Sequence, residues 1–198
     1  MILPNVRASF GRPEVGAILS AVAGADRGAR DELTTRLRED GLDALLDDPR
    51  TLNAVLTGEH YGSPALVFYL LVRHALLESG LDDRTLADYI AAILVEFGRE
   101  DRAYRIEPDD PDTFHYLVDL VAAMETSDGR RRFLVRAHLG NFALWLGGIF
   151  PDHVTARVQR RGAPGLDYVE ALGASGYRMA AERAMEHRRM RREMGRLG

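Results

Sequence analysis

The sequence predicts an all-α protein: a single-domain bundle of about eight helices around one central buried helix at about residues 130–150. Apolar residues recur at spacings of three and four along almost the whole chain, and no segment shows the two-residue alternation of a half-buried strand. The 198 residues suit one domain with a sizeable core. A composition of 46% hydrophobic and 28% charged residues is typical of a soluble globular protein.

Proline and glycine limit the first predicted helices. A helix begins near Pro13, because proline is tolerated in the first turn, and it reaches Ala23. One or two helices follow across Gly41, and a short helix ends at Gly58, since glycine is common directly after a helix. These limits predict three or four helices before residue 60.

The next two helices have recognisable caps. Ser63 is a suitable N-cap because its hydroxyl can accept a hydrogen bond from the first turn, and Gly80 follows the end of that helix. Asp82 or Asp83 opens the following helix, which Gly98 closes.

The second half begins with an acidic, proline-bearing stretch at 98–112, which we expect to be a long exposed connection and a seam between subdomains. Helical spacing resumes at 113–126 and returns at 130–150, after which Pro151 forces a kink or restart. After a loop, a last helix runs from about Asp167 toward the carboxyl end, where residues 182–198 form a basic helical tail.

Missing residue types exclude several chemistries. The chain has no cysteine, which removes disulfides and thiolate ligands or nucleophiles, and all 26 cationic side chains are arginine, which removes Schiff-base and P-loop lysines. The amino terminus lacks the pattern of a secretory signal, and the longest apolar stretches fall short of the ~20 residues of a membrane span. We therefore expect a cytoplasmic protein without a membrane partner.

The predicted central helix carries polar side chains among apolar ones. On a helical wheel, His138 and Asn141 share the apolar arc with Trp145, and a buried polar group without a partner costs about 1–3 kcal/mol. In a structural interpretation, both side chains hydrogen-bond to neighbouring groups and Arg136 pairs with a carboxylate. In a functional one, these four residues form a ligand pocket where Arg136 meets an anion and His138 binds or transfers a proton.

Small residues mark the other side of this helix. Gly140, Ala143 and Gly147 would let another helix or a ligand approach the backbone closely. We expect Gly173 and Gly176, one turn apart in the last predicted helix, to pack against these small residues. Glycine also lowers the stability of that helix.

Two predicted helices present a histidine with a carboxylate four residues later, which places both side chains on one face. These pairs are His74 with Glu78 and His115 with Asp119, and Glu96 could supply a further ligand. Nitrogen and oxygen ligands of this kind suit zinc, iron or manganese. Against this hypothesis, the second pair lies opposite an apolar arc, and no Glu-x-x-His motif of a di-iron bundle is present. No cofactor is favoured, and a divalent metal is kept as an alternative.

The charges are distributed unevenly. Residues 182–198 hold six arginines and three glutamates, whereas residues 31–50 and 96–112 each hold seven acids and three arginines. Arginine clusters can bind nucleic acid phosphates, but a solvated helix end also favours cations. We expect the tail to dock on an acidic segment of its own chain or of a second copy.

No catalytic motif appears: Gly-x-Gly-x-x-Gly, Gly-x-Ser-x-Gly and His-Glu-x-x-His are all absent. The sequence therefore favours a non-enzymatic binding or protein-interaction module that self-associates as a homo-oligomer. The first alternative is a metal- or cofactor-dependent helical enzyme that uses the histidine and carboxylate pairs. The second is a nucleic-acid-associated protein that binds through the arginine-rich tail.

Overall fold

A computed structural model describes residues 2–58, 62–161 and 164–194, apart from the side chains of residues 153, 157, 161, 183, 184 and 186–194. These residues form ten α-helices, two short 3-10 helices and no strand, which confirms the all-α prediction. The α-helices are α1 Arg12–Ala23, α2 Arg27–Asp40, α3 Leu42–Leu46, α4 Pro49–Thr57, α5 Pro64–Glu78, α6 Arg84–Phe97, α7 Leu117–Thr126, α8 Gly129–Ile149, α9 Pro151–Arg161 and α10 Leu166–Met194.

The chain divides into two compact units, Ile2–Glu96 and Phe97–Gly198. The boundary falls directly before the connection at 98–112 that the sequence marks as a seam. The organisation of the whole chain as one domain stays a prediction.

Several helix limits follow from the capping residues named above. The Ser63 hydroxyl accepts a hydrogen bond from the Leu66 amide at 3.3 Å, and the Asp83 carboxylate accepts one from the Leu86 amide at 2.9 Å. Gly41 separates α2 from α3 with a φ of 79°, a conformation that favours glycine. The local capping predictions are therefore confirmed.

Two predictions about residues 98–126 need correction. The connection is not exposed throughout, because it contains the 3-10 helix Glu100–Tyr104 and buries Ala103 and Ile106. Helix α7 begins only at Leu117, since the preceding residues are held to the connection by a hydrogen bond from the Phe114 amide to the Tyr104 carbonyl at 2.7 Å. Tertiary contacts override the helical spacing here.

The first unit has its own apolar core and a buried arginine. Arg73 on α5 is fully buried, and its guanidinium donates two hydrogen bonds to Asp47, at 2.7 and 2.9 Å. It also donates to the exposed Asp82 at 2.5 Å, while Arg84 binds Asp47 at 2.5 Å. Burial would raise the pKa of Asp47, but the hydrogen bonds from Arg73 and Arg84 outweigh it and hold that pKa below its usual value.

In the second unit, α8 packs against α7, α9 and α10. Its middle turns are buried, as expected of a helix with apolar residues around most of its circumference. Pro151 begins α9 directly after α8, which confirms the predicted restart, and α10 continues through Gly173 and Gly176 without interruption. The buried residues of α8 are Leu134, Val135, His138, Leu139, Gly140, Asn141, Phe142 and Ala143.

Candidate functional site

Helices α8 and α10 approach each other through glycine and alanine. A methyl group at Gly173 would stand 2.7 Å from the Ala143 Cβ, and one at Gly140 would stand 2.7 Å from the Tyr177 ring. Such distances are shorter than ordinary van der Waals contact, so no larger side chain fits in the present geometry. The predicted pairing of the small-residue stripe with the glycines of the last helix is confirmed.

His138 is buried, and its Nε2 lies 3.0 Å from the Ala103 carbonyl oxygen. A carbonyl only accepts, so Nε2 carries the proton and donates this bond. The ring stacks on Phe142 with centroids 6.3 Å apart and lies 5.5 Å from the Phe97 ring. Burial, assisted by the charge of Arg102, lowers the pKa of His138 to about 4. The imidazole is therefore neutral near pH 7.

The other three residues of the predicted ligand site lie within the packing of the second unit. The Asn141 Oδ1 accepts a hydrogen bond from the Tyr177 hydroxyl at 2.8 Å. The Arg136 Nη1 lies 3.4 Å from the Met179 carbonyl oxygen. Trp145 packs edge-on against three other rings, those of Phe97, Tyr104 and Phe150. His138 and Asn141 thus have the hydrogen-bond partners that the structural interpretation requires.

The residues of the metal hypothesis belong to different units. His74 is buried on α5, with its Nε2 3.0 Å from the Leu46 carbonyl oxygen, whereas Glu78 is exposed. In the second unit, His115 and Asp119 are both exposed, but His115 precedes α7 whereas Asp119 lies on it. The prediction that this pair shares one helix face is therefore wrong, because the helix begins only at Leu117. Glu96 lies half-buried at the end of α6.

Within the described parts of the chain, no group of three or more histidine, aspartate and glutamate side chains is placed to hold a metal ion. The metal hypothesis stays a prediction. Elemental analysis of protein purified without added metal tests it directly.

The second unit has an open, mostly apolar pocket of about 210 Å³. Phe142 and Leu146 of α8 form part of its wall, together with the buried Val154 of α9 and Val169 of α10. The polar side chains in its lining are those of His115, Tyr116 and Tyr168. The full lining consists of His115, Tyr116, Leu117, Val118, Phe142, Leu146, Val154, Pro164, Tyr168 and Val169.

The sequence predicts a ligand pocket on α8, but the residues that it assigns to the pocket differ from those that line the observed one. None of Arg136, His138, Asn141 and Trp145 lines the pocket described above. The two α8 residues that line it, Phe142 and Leu146, lie on the apolar arc of the helical wheel, so the sequence did indicate the side of α8 that forms the wall. The contributions of α7, α9 and α10 depend on how these helices pack, and no spacing within one segment reveals that.

Exposed apolar side chains surround the pocket. Tyr116 is 49% exposed, Tyr168 50% and Val118 66%. Large apolar side chains that remain exposed beside a concave apolar surface are typical of a binding surface. Chemically, this arrangement can bury an apolar group and offer hydroxyl and imidazole groups at its edge.

The acidic segments are partly neutralised within their own units. Asp48 binds both Arg36 and Arg50, and the hydrogen bonds from Arg50 hold the pKa of Asp48 well below its usual range. In the second unit, Asp110 accepts a hydrogen bond from Arg131 at 2.8 Å. Local arginines therefore already bind several of the carboxylates to which the tail was expected to dock. The arginine side chains of the tail lie outside the described residues, and its docking stays a prediction.

Comparison with protein-family models, curated proteins and solved structures gives no match to this chain. No single helix among the described residues combines the length and apolar composition of a membrane span, although α8 together with Val154–Arg160 passes that test as a bent pair on length and composition alone.

Proposed function

We propose that this chain is a non-enzymatic protein-interaction module whose second unit binds an apolar side chain of a partner protein in the pocket lined by α7, α8, α9 and α10. The observation that carries the proposal is the pocket itself: an open apolar cavity with exposed tyrosine and valine at its rim.

The size of the pocket favours a side chain over a larger ligand. Pockets for small molecules usually measure about 300–1,000 Å³, whereas this one measures about 210 Å³. A cavity of this size accepts one large apolar side chain. Buried anchor side chains that fill such pockets contribute much of the affinity of protein interfaces.

The composition of the rim supports the same conclusion. Tyrosine is enriched at interaction hot spots because it buries a large apolar ring and can still form a hydrogen bond. Tyr116 and Tyr168 supply two such rings, and Val118 adds a further exposed apolar side chain to the lining.

Titration of isotope-labelled protein with capped amino acids, followed by NMR, tests the proposal. N-acetylated amides of methionine, leucine and phenylalanine are expected to bind with dissociation constants in roughly the millimolar range. They should shift the signals of Leu117, Leu146 and Val169, whereas the capped serine should not.

A matched pair of variants makes this test specific. Tyr168→Asp places a charge on the rim and should weaken the binding of the capped methionine at least about tenfold, since a carboxylate at the entrance opposes an apolar ligand. Leu81→Asp changes a side chain of similar exposure, 51% against 50%, in the first unit and should leave binding unchanged. Equal binding by both variants, or shifts that lie outside the pocket, would refute the proposal.

A further inference from the structure

Met185 is an exposed apolar side chain on the same helix that supplies the pocket rim. It is 66% exposed and lies nine residues after Gly176, which is half a turn around the helix from the face that packs on α8. Methionine is flexible and fills irregular apolar pockets well. Its chemistry therefore matches the pocket.

Helix geometry prevents Met185 from reaching the pocket of its own chain. Tyr168, which lines the pocket, precedes Met185 by 17 residues on the continuous helix α10, a distance of about 25 Å along the axis. Two antiparallel α10 helices that are aligned about the midpoint of this separation bring each Met185 to the level of the other copy's Tyr168, because the separation is the same in both copies. Such a contact is self-complementary and closes with twofold symmetry.

The charges along α10 favour the same arrangement. Asp167 and Glu170 lie beside the pocket-lining residues of α10, and Asp119 lies next to Val118 on α7. All three carboxylates are exposed, with no ion-pair partner among the described side chains. The segment 182–198 that surrounds Met185 in sequence carries six arginines and three glutamates. Antiparallel pairing brings this basic segment to the acidic rim.

From these observations we infer that the partner is a second copy of this chain: the two α10 helices pair antiparallel, Met185 of each copy enters the pocket of the other, and the arginines of 182–198 bind Asp119, Asp167 and Glu170. The inference rests on the proposed function, because it names the side chain that the pocket accepts.

Charge-reversal variants of the full chain test this dimer. One variant carries Arg188→Glu and Arg189→Glu in the basic segment, and the other carries Asp167→Arg and Glu170→Arg at the rim. Sedimentation velocity over about 1–200 µM should show a dimer for the original chain and a dissociation constant at least about tenfold higher for each variant alone. Mixed in equal amounts, the two variants should form a heterodimer, because both contacts then join opposite charges.

Control variants separate the contact from general charge effects. Arg27→Glu with Arg30→Glu reverses two exposed arginines of α2 and should leave the dimer unchanged. Met185→Asp should weaken the dimer at least about tenfold, whereas Leu81→Asp should not. Circular dichroism checks that every variant remains folded.

The outcomes distinguish this inference from the proposed function. The dimer is refuted if the original chain sediments as a monomer at every concentration. It is also refuted if the charge-reversal variants dimerise with the dissociation constant of the original chain and do not associate more tightly when mixed. If the capped methionine still binds the pocket in that case, the proposed function stands and only the identity of the partner is wrong.

Discussion

Gly176 of α10 lies directly against the backbone of Arg136 in α8: a methyl group at Gly176 would stand 2.8 Å from the Arg136 carbonyl oxygen and 3.0 Å from the Gly140 nitrogen. Both atoms belong to the backbone of a buried helix, which cannot move aside as a flexible side chain would. This contact fixes the distance between the two helices.

Gly176→Ala should therefore lower the free energy of unfolding by about 1–3 kcal/mol, because the added methyl group forces the helices apart. Gly16→Ala is the matched control, since nothing lies within 4 Å of the position of its Cβ in the middle of α1. That substitution should raise stability by about 0.5–1 kcal/mol through helix propensity. Chemical denaturation measures both values, and equal effects would contradict the close contact.

The pKa of His138 predicts a loss of stability in weak acid. The folded protein keeps this imidazole neutral down to a pKa of about 4, whereas the unfolded chain binds a proton near the ordinary pKa of 6.5. Because the unfolded state binds more protons between these values, stability decreases as the pH falls through this window, by about 3 kcal/mol in total.

His138→Gln isolates this effect, because the glutamine amide can still donate to the Ala103 carbonyl but does not titrate in this range. Denaturation curves at pH 7 and pH 4 should show that the original chain loses about 3 kcal/mol more than the variant does. Parallel losses in the two proteins would show that His138 is not the group responsible.

Removing the carboxylate of Asp47 should lower the stability of the protein much more than removing that of Asp82, although both carboxylates bind the buried Arg73. Asp47 forms two hydrogen bonds with the guanidinium, and its loss leaves a buried charge poorly compensated. Asp47→Asn is expected to cost about 2–3 kcal/mol of stability. Asp82 is 71% exposed, so Asp82→Asn should cost less than about 1 kcal/mol. Thermal and chemical denaturation of the two variants provides the comparison, and a larger effect at Asp82 would refute it.

Removal of the hydroxyl should affect stability differently at the buried Tyr69 and at the half-buried Tyr177. Tyr69 is fully buried, its hydroxyl has no hydrogen-bond partner among the described residues, and burial raises its pKa to about 12. Tyr69→Phe should leave stability unchanged or raise it by up to about 1 kcal/mol. Tyr177→Phe removes the bond to Asn141 and should lower stability by about 1–2 kcal/mol. A loss at Tyr69 as large as that at Tyr177 would indicate that the Tyr69 hydroxyl is satisfied.

Local signals in the sequence were sufficient to predict much of the fold. Ser63 and Asp83 cap helices as their side-chain chemistry predicts, and Gly41 ends a helix where its backbone freedom is needed. The contact of Gly173 with Ala143 was also predictable, because small residues repeated at helical spacing on two helices allow their backbones to approach closely.

Features that depend on distant parts of the chain were not predictable. His138 finds its partner at Ala103, in a connection expected to be exposed, and periodicity carries no information about that pairing. The pocket combines residues as far apart in sequence as His115 and Val169. Its existence depends on the angles at which four helices meet, which no single helical wheel describes.

The only tryptophan of the chain, Trp145, lies in the second unit among the rings of Phe97, Tyr104, Phe142 and Phe150. Its fluorescence emission therefore monitors the melting of that half alone, while far-ultraviolet ellipticity averages over every helix. Coincident transitions from the two signals would mean that both halves unfold cooperatively, and separate transitions would assign one melting step to each. The intrinsic fluorescence of Trp145 thus makes it possible to measure, without any label, whether the two halves unfold together.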